Sequence, residues 1–336
     1  MANIVFSEGS GLNDSIYGKV QAPVKMLIEK RGEAFEAKSV LPELFNMQKS
    51  THFGEKLTSM TAMDGFKPVG EGGNYPVDGM QEGFDKFIEH MTWKDSFSLT
   101  EEIISDAKMM DLRKQPLGFT SAYYRTREKF GAALFGGAIS GASNIKFAGH
   151  TFDTTCADKL PLFSKVHPAK VKGSKQSNLF ADAFSEDALA AAECAMQNFK
   201  GDNDELLDVS PTTIIIPNDH ELKKQVFAVI GADKDPNTAN NGFNFLFGRW
   251  RVIVWNYLNQ FITAGSKPWL LQDKEYNDQY AGAVWFDREA LKVKSFVDEN
   301  TDNNVWKGRA RFTGGFNDWR AFCVGGVENG TKLIAG

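Results

Sequence analysis

An α+β fold is predicted by three observations. Apolar residues recur at helical spacing in some segments and with period two in others, without the regular alternation of a βαβ repeat. Strand-like alternation dominates the last third of the chain: Leu291 and Val293 alternate with Lys292 and Lys294, and Trp306, Ala310 and Phe312 alternate with Lys307, Arg309 and Arg311. Between Thr51 and Leu99, two strand-like runs flank a linker holding Gly70, Gly72, Gly73, Pro76 and Gly79, the pattern of a projecting ribbon rather than of a core.

Residues 1–50 read as an arm ordered by whatever it lies against, because Gly9, Gly11, Gly18 and Pro23 interrupt everything before a short helix at Ala22–Arg31. The runs Lys56–Lys67 and Phe84–Leu99 follow. In the second run Phe84, Lys86, Ile88 and His90 share one side and Asp85, Phe87, Glu89 and Met91 the other, so neither side is consistently apolar. A lone two-stranded ribbon is marginal in water, and this one needs a surface to lie on: another copy, or its own domain. Thr100 followed by Glu101 and Glu102 caps a helix to Asp111, and Pro116 suits the first turn of a second helix to Ile139. Phe119, Tyr123, Phe130 and Ala133 form the stripe of that helix, about 35 Å long at 1.5 Å per residue. Gly141–Leu179 is loop-rich. Ser185 caps a helix ended by Gly201, Thr212–Ile216 is a short buried strand, Asn218 with Glu221 opens a helix stopped by Gly231, and Arg249–Trp255 is a strand. Trp319, Ala321 and Cys323 form one face of a last strand.

The composition narrows the function classes. At 42% apolar and 24% charged, 336 residues suffice for two or three compact units and argue against wholesale disorder. Twenty-seven Phe and seven Trp supply rings for a core or for subunit contacts. A net charge of −5 disfavours a dedicated nucleic-acid binder. Three scattered cysteines, Cys156, Cys194 and Cys323, suit a reducing compartment, and neither a signal peptide nor a membrane-length apolar run is visible, so synthesis and folding in a cytoplasm are expected.

No motif carries a complete catalytic or metal-binding constellation. Gly136–Gly141 lacks the Lys-Ser/Thr of a phosphate loop and reads as flexible helix termination. Ser143 lacks the closing glycine of a nucleophile elbow. Asp298, Asn300 and Asp302 start like a calcium loop, but Asn303 and Arg309 stand where the turn glycine and the bidentate Glu belong, leaving a solvated acidic turn. His150, Cys156 and His167 match no zinc spacing, and the clustered carboxylates Asp202, Asp204 and Glu205 have no opposing group. The expectation is no catalytic, cofactor-binding or metal site, and no cofactor.

In their order and spacing, Leu99–Thr100–Glu101–Glu102–Ile103, Leu162–Pro168, Ser177–Asn178–Leu179, Ser210–Pro217, Arg309–Phe312 and Asp318–Trp319–Arg320 resemble the major capsid protein of tailed bacteriophages, the Hong Kong 97-like fold, and more narrowly the Mu-type major head subunit family. The resemblance covers nearly the whole chain. It implies an N-arm at 1–50, an extended E-loop at 51–99, a P-domain with a long spine helix at 100–184, an A-domain at 185–275 and C-terminal strands at 276–336 returning to the P-domain. It implies a structural, non-enzymatic protein that assembles with itself into pentamers and hexamers of an icosahedral shell around double-stranded DNA. The DNA would lie on the inner face without sequence-specific contacts, and no membrane is involved. Because no long charged N-terminal helix is present, the resemblance also implies a separate scaffolding protein, alongside a portal. No covalent Lys–Asn crosslink is carried over to Lys56 or Lys67. On this reading the ribbon buries Phe66, Phe84 and Phe87 on a neighbour. The alternatives are an encapsulin-like cellular compartment and a soluble enzyme with an unrecognised site.

Overall fold

The structure, a computed structural model, describes residues 4–7, 26, 28–60, 66–77, 79, 82–100, 102, 109–231, 244 and 246–333. Its centre is a long antiparallel hairpin of β11 (Ala283–Asp298) and β12 (Asn303–Phe316). The turn between them is the acidic Asp298–Asp302 segment, where the Asp298 carboxylate accepts from the Asn300 amide at 3.1 Å. β5 (Met91–Leu99) pairs antiparallel with β12, while β1 (Ile4–Ser7) and β2 (Asn46–Lys49) each pair parallel with β11. The arm thus lies against its own chain at these points; Gly9, Gly11, Gly18 and Pro23 fall outside the described residues. The helix expected at Ala22–Arg31 is described over residues 28–36, where Phe35 stacks on Tyr124 at 5.5 Å and Tyr124 donates to Glu36 at 2.8 Å.

The long helix, Met109–Ile139, covers one face of this sheet. Its 31 residues span about 46 Å, longer than expected, because Pro116 stands inside the helix and not at its first turn. The break expected between Asp111 and Pro116 is absent: 112–115 are helical, and the end of the first expected helix is the start of the long one, while 103–108 lie outside the described residues. Phe130 on the helix meets Phe152 at 4.7 Å and Trp285 at 5.7 Å, and Trp93 stacks on Phe312 at 4.9 Å. The abundant Phe therefore build an aromatic core between helix and sheet. Gly136 and Gly137 sit within the helix, where close contacts require them: a Cβ on Gly136 would lie 2.6 Å from the Phe261 carbonyl oxygen. Only Gly141, at φ +73°, is the terminator the sequence suggested. The loop-rich reading of Gly141–Leu179 missed a hairpin, β6 (Asn144–Phe147) with β7 (His150–Asp153), whose Phe147 and Phe152 pack on Trp93.

A second sheet has the order β13 (Phe322–Gly325), β10 (Trp269–Gln272), β8 (Thr213–Pro217), β9 (Arg251–Trp255). The strands expected at Thr212–Ile216 and Arg249–Trp255 are β8 and β9, pairing in parallel around helix His220–Ile230. Ser185 caps helix Glu186–Gln197 by accepting from the Ala188 amide at 3.1 Å, but the helix ends at Asn198 rather than Gly201. Asp219, not Asn218, caps His220–Ile230, accepting from the Leu222 amide at 2.8 Å. Trp319–Ala321 is a turn rather than a strand, and β13 is buried on both faces, which removes the alternation expected there.

Candidate functional site

Motifs that drew notice in the sequence converge on one buried knot. The His167 ring stacks on Trp319 at 4.3 Å, its Nδ1 faces Asp158 at 2.6 Å, and its Nε2 faces Asn178 Oδ1 at 3.2 Å. The Asn178 amide donates to the Leu162 and Phe322 carbonyls at 2.8 and 3.1 Å, and its Oδ1 accepts from the Ser164 amide at 2.9 Å. Arg320 is held by Asp202 and Asp318 at 2.9 and 3.2 Å. Every polar atom named here is directed at another part of the chain, so the knot is a fastening between the sheets. Cys156 is buried nearby and its thiol is pushed well up by burial, the reverse of an activated nucleophile. His150 is exposed on the β7 strand, away from this knot. The Ser143 carbonyl accepts from the Thr154 amide at the base of the β6–β7 hairpin, and the described residues hold no cluster of His, Cys, Asp or Glu able to bind a metal ion.

The exposed feature is the ribbon. β3 (Gly54–Met60) pairs antiparallel with β4 (Glu82–Glu89), and at His90 the chain leaves the ribbon and enters β5 of the central sheet. The run read as one strand, Phe84–Leu99, is therefore two. The inner side of β4 is the one that carries Lys86, Ile88 and His90, all buried. Ile88 packs on Val284 and Phe286 of β11, and Gly315 of β12 leaves it room: a Cβ there would stand 2.8 Å from the Ile88 side chain. Lys86, the polar member of this side, is paired with the Asp153 carboxylate and donates to Thr155 Oγ1 at 2.9 Å. Burial opposes ionisation of Asp153, but Lys86 and Thr155 outweigh it and hold the carboxyl below its usual range. Lys170 caps the Gly83 carbonyl and lies 5.3 Å above the Phe84 ring. At the root, Ser50 Oγ lies 2.7 Å from His90 Nε2 and 2.5 Å from Glu55, while His90 Nδ1 is buried with no hydrogen-bond partner.

The base of the ribbon is thus fixed to its own body, as the own-domain reading expected, and Phe84 is half-buried there rather than free for a neighbour. Beyond it, the described residues 66–77 and 79 are all exposed. On the outer side Lys56 pairs with Asp85 at 2.9 Å in open solvent, and Phe87 is 53% exposed. In the tip, Phe66, Tyr75 and Val77 are more than nine-tenths exposed, at 108%, 94% and 98%. Rings and branched side chains held this far from any core are the mark of a surface made for contact with another chain.

A family model described as phage capsid protein matches residues 85–325. The chain belongs to the phage capsid protein family. No curated protein matches its sequence. Its fold is similar to that of a structure from Mycobacterium phage Patience, with a TM-score of 0.52 at 10% identity over 94% of this chain and 90% of the other. Two further similar structures are the capsid of bacteriophage JBD30 decorated with minor capsid protein trimers and a virus-like particle from Pyrococcus furiosus. The first has a TM-score of 0.45 at 15% identity, covering 64% of this chain and 89% of that one. The second has a TM-score of 0.47 at 9% identity, covering 92% and 98%. The α+β architecture is the Hong Kong 97-like capsid fold. This capsid protein is a structural protein and not an enzyme, it assembles with copies of itself into a shell, and its place is the virion capsid. The family match favours a phage head over the encapsulin-like alternative. Among the described residues, no helix is long and apolar enough to cross a membrane.

Proposed function

We propose that the chain is the major head subunit, building pentamers and hexamers that close into an icosahedral shell around phage double-stranded DNA, and that its ribbon is the E-loop by which each copy grips the next. The observation that carries this reading is the division of the ribbon into a fixed base and a bare apolar tip. Ile88 and Lys86 anchor it to its own sheet, while Phe66, Tyr75, Val77 and Phe87 reach outward unsatisfied. Each such contact is weak alone, but in a closed ring all form together, and their strengths multiply through effective concentration. The domain assignment goes with it: residues 1–50 as N-arm, 51–99 as E-loop, 100–184 as P-domain with the long helix as spine, 185–275 as A-domain, and 276–336 as the returning strands. The resemblance to major capsid proteins of tailed bacteriophages supports a separate scaffolding protein, a portal, and packaged DNA held on the inner face without base-specific contacts.

Deleting Gly70–Gly83 tests the reading. The expected product is a folded, soluble subunit that forms no shells in negative-stain microscopy; normal particles from this variant would refute the grip.

A further inference from the structure

The root of the ribbon is closed by a chain of three side chains in which the direction of each hydrogen bond is fixed. Ser50 belongs to the body, its amide donating to the Asp287 carbonyl at 3.2 Å. Glu55 belongs to the ribbon, as the second residue of β3. His90 is the residue between β4 and β5, and its amide donates to the Phe53 carbonyl at 3.2 Å. As a carboxylate Glu55 only accepts, so the one proton of the Ser50 hydroxyl goes to it across 2.5 Å. The hydroxyl is left to accept, and His90 Nε2 is the donor across 2.7 Å. The neutral ring therefore carries its lone pair on Nδ1, which is buried and has no hydrogen-bond partner.

This environment resists a second proton on the ring. An N–H formed at Nδ1 would be buried without an acceptor. After burial itself, the strongest opposition comes from the charges of Arg288 on β11 and Arg311 on β12, which outweigh Glu55 on β3 and Asp287 on β11. The Phe286 ring, edge-on at 6.2 Å, adds only apolar surface. A proton that does bind is accommodated by turning the ring out to water, which breaks the bond to Ser50. β5 cannot follow that movement, because it is paired with β12 from Met91 to Leu99. The ribbon side moves instead. It is not set loose, since Lys86 of β4 remains paired with Asp153. Burial disfavours that carboxylate, but Lys86 and Thr155 outweigh it and hold the group below its usual range.

We infer that His90 is an acid-operated latch: a proton taken up at Nδ1 frees the root of the ribbon from the central sheet, while Lys86 keeps the ribbon tethered to Asp153. The bond to Ser50 is complete above about pH 6.5 and is lost as the pH falls through the lower value of the folded ring. The Asp153 tie is complete above about pH 3.9 and is lost only as the pH falls through its own lower folded value. Between the two the ribbon pivots on its tether with the subunit still folded. The latch goes beyond the grip between copies and belongs to each copy alone.

The test therefore uses the full-length subunit kept unassembled by dilution. Hydrogen exchange of segments 54–60 and 82–89 is compared with that of β11 and β12 from pH 7.5 to 4.5, after correction for the intrinsic effect of pH on exchange. Ribbon protection should fall by about tenfold or more, with a one-proton midpoint below pH 6.5, while the central hairpin keeps its protection. His90→Gln, whose amide can still donate to Ser50 but takes no proton, should abolish the midpoint. Arg288→Gln should move the midpoint upward, because one opposing charge is gone. Ribbon protection that is flat with pH in the parent, or that falls together with the hairpin, overturns the inference. So does a midpoint that survives His90→Gln. Should that variant fail to fold, Arg288→Gln decides alone, and an unmoved midpoint overturns the latch. Shells that withstand acid although the root opens would leave the latch standing and count against the ribbon as the grip.

Discussion

Arg127 shows how single residues hold this capsid protein together. Its guanidinium, buried under Trp285 and Phe312, grips Asp287 with two bonds of 2.8 and 2.9 Å and also donates to Tyr123. Burial works against the charge, but Tyr123 and Asp287 outweigh it and keep the side chain ionised. Asp287→Asn removes the counter-charge and should destabilise the subunit by about 3–5 kcal/mol in denaturant unfolding, whereas Arg127→Met combined with Asp287→Leu should recover most of that loss. His90 makes the pH counterpart. Burial, then the positive charges of Arg288 and Arg311, lower its pKa below the usual histidine value, against weaker opposing effects of Glu55 and Asp287. The unfolded chain therefore binds the proton more readily than the folded one. The stabilisation is complete above pH 6.5 and is lost as the pH falls through the lower folded value. Unfolding midpoints measured between pH 7.5 and 5 should fall on acidification, and His90→Gln should flatten that slope. Neither role was legible in the sequence. Arg127 was one of several charges on a helix, and His90 was, like His52 and His220, an isolated histidine, because the Asp287 that pairs with Arg127 and the Ser50 that faces His90 come from segments remote in the chain.

At the scale of elements, legibility followed how local the cause was. Ser185, whose cap bond spans three residues, was read correctly, and so were the stop at Gly231 and, to within one residue, the β-branched strand expected at Thr212–Ile216 and found at Thr213–Pro217. Pro116 misled because propensity places proline in a first helical turn, while packing of Phe119, Tyr123 and Phe130 on the sheet carries the helix through it. The glycines of the long helix show the same override. Alanine has the higher intrinsic helix propensity by about 1 kcal/mol, yet Gly136→Ala should destabilise the subunit by about 1–3 kcal/mol, since the added methyl meets the Phe261 backbone. A thermal melt in which this variant is more stable than the parent would contradict that packing argument.

For the whole molecule, the mixed architecture and the projecting ribbon were readable because both leave periodic traces, and the family resemblance was readable from motifs of which Leu162–Pro168, Ser177–Leu179 and Asp318–Arg320 meet in one knot. The site itself was only half readable. The glycine-broken tip announced itself, but the base did not: Lys86 on an apolar side looked like an inconsistency until Asp153, 67 positions away, came to meet it. The junction at His90 has one more consequence. Since β4 passes into β5 with a single residue between them, the ribbon's root inherits the odd–even alternation of the central sheet. Inserting one residue there would turn Lys86 and Ile88 outward and press Asp85 and Phe87 against β11; inserting two would restore the original facing and lengthen the strand by about 7 Å. Growth at the root is therefore quantised in pairs, while the turn around Gly70–Gly79 accepts any number. The reach of the molecule is an integer count with a parity rule at one end and none at the other.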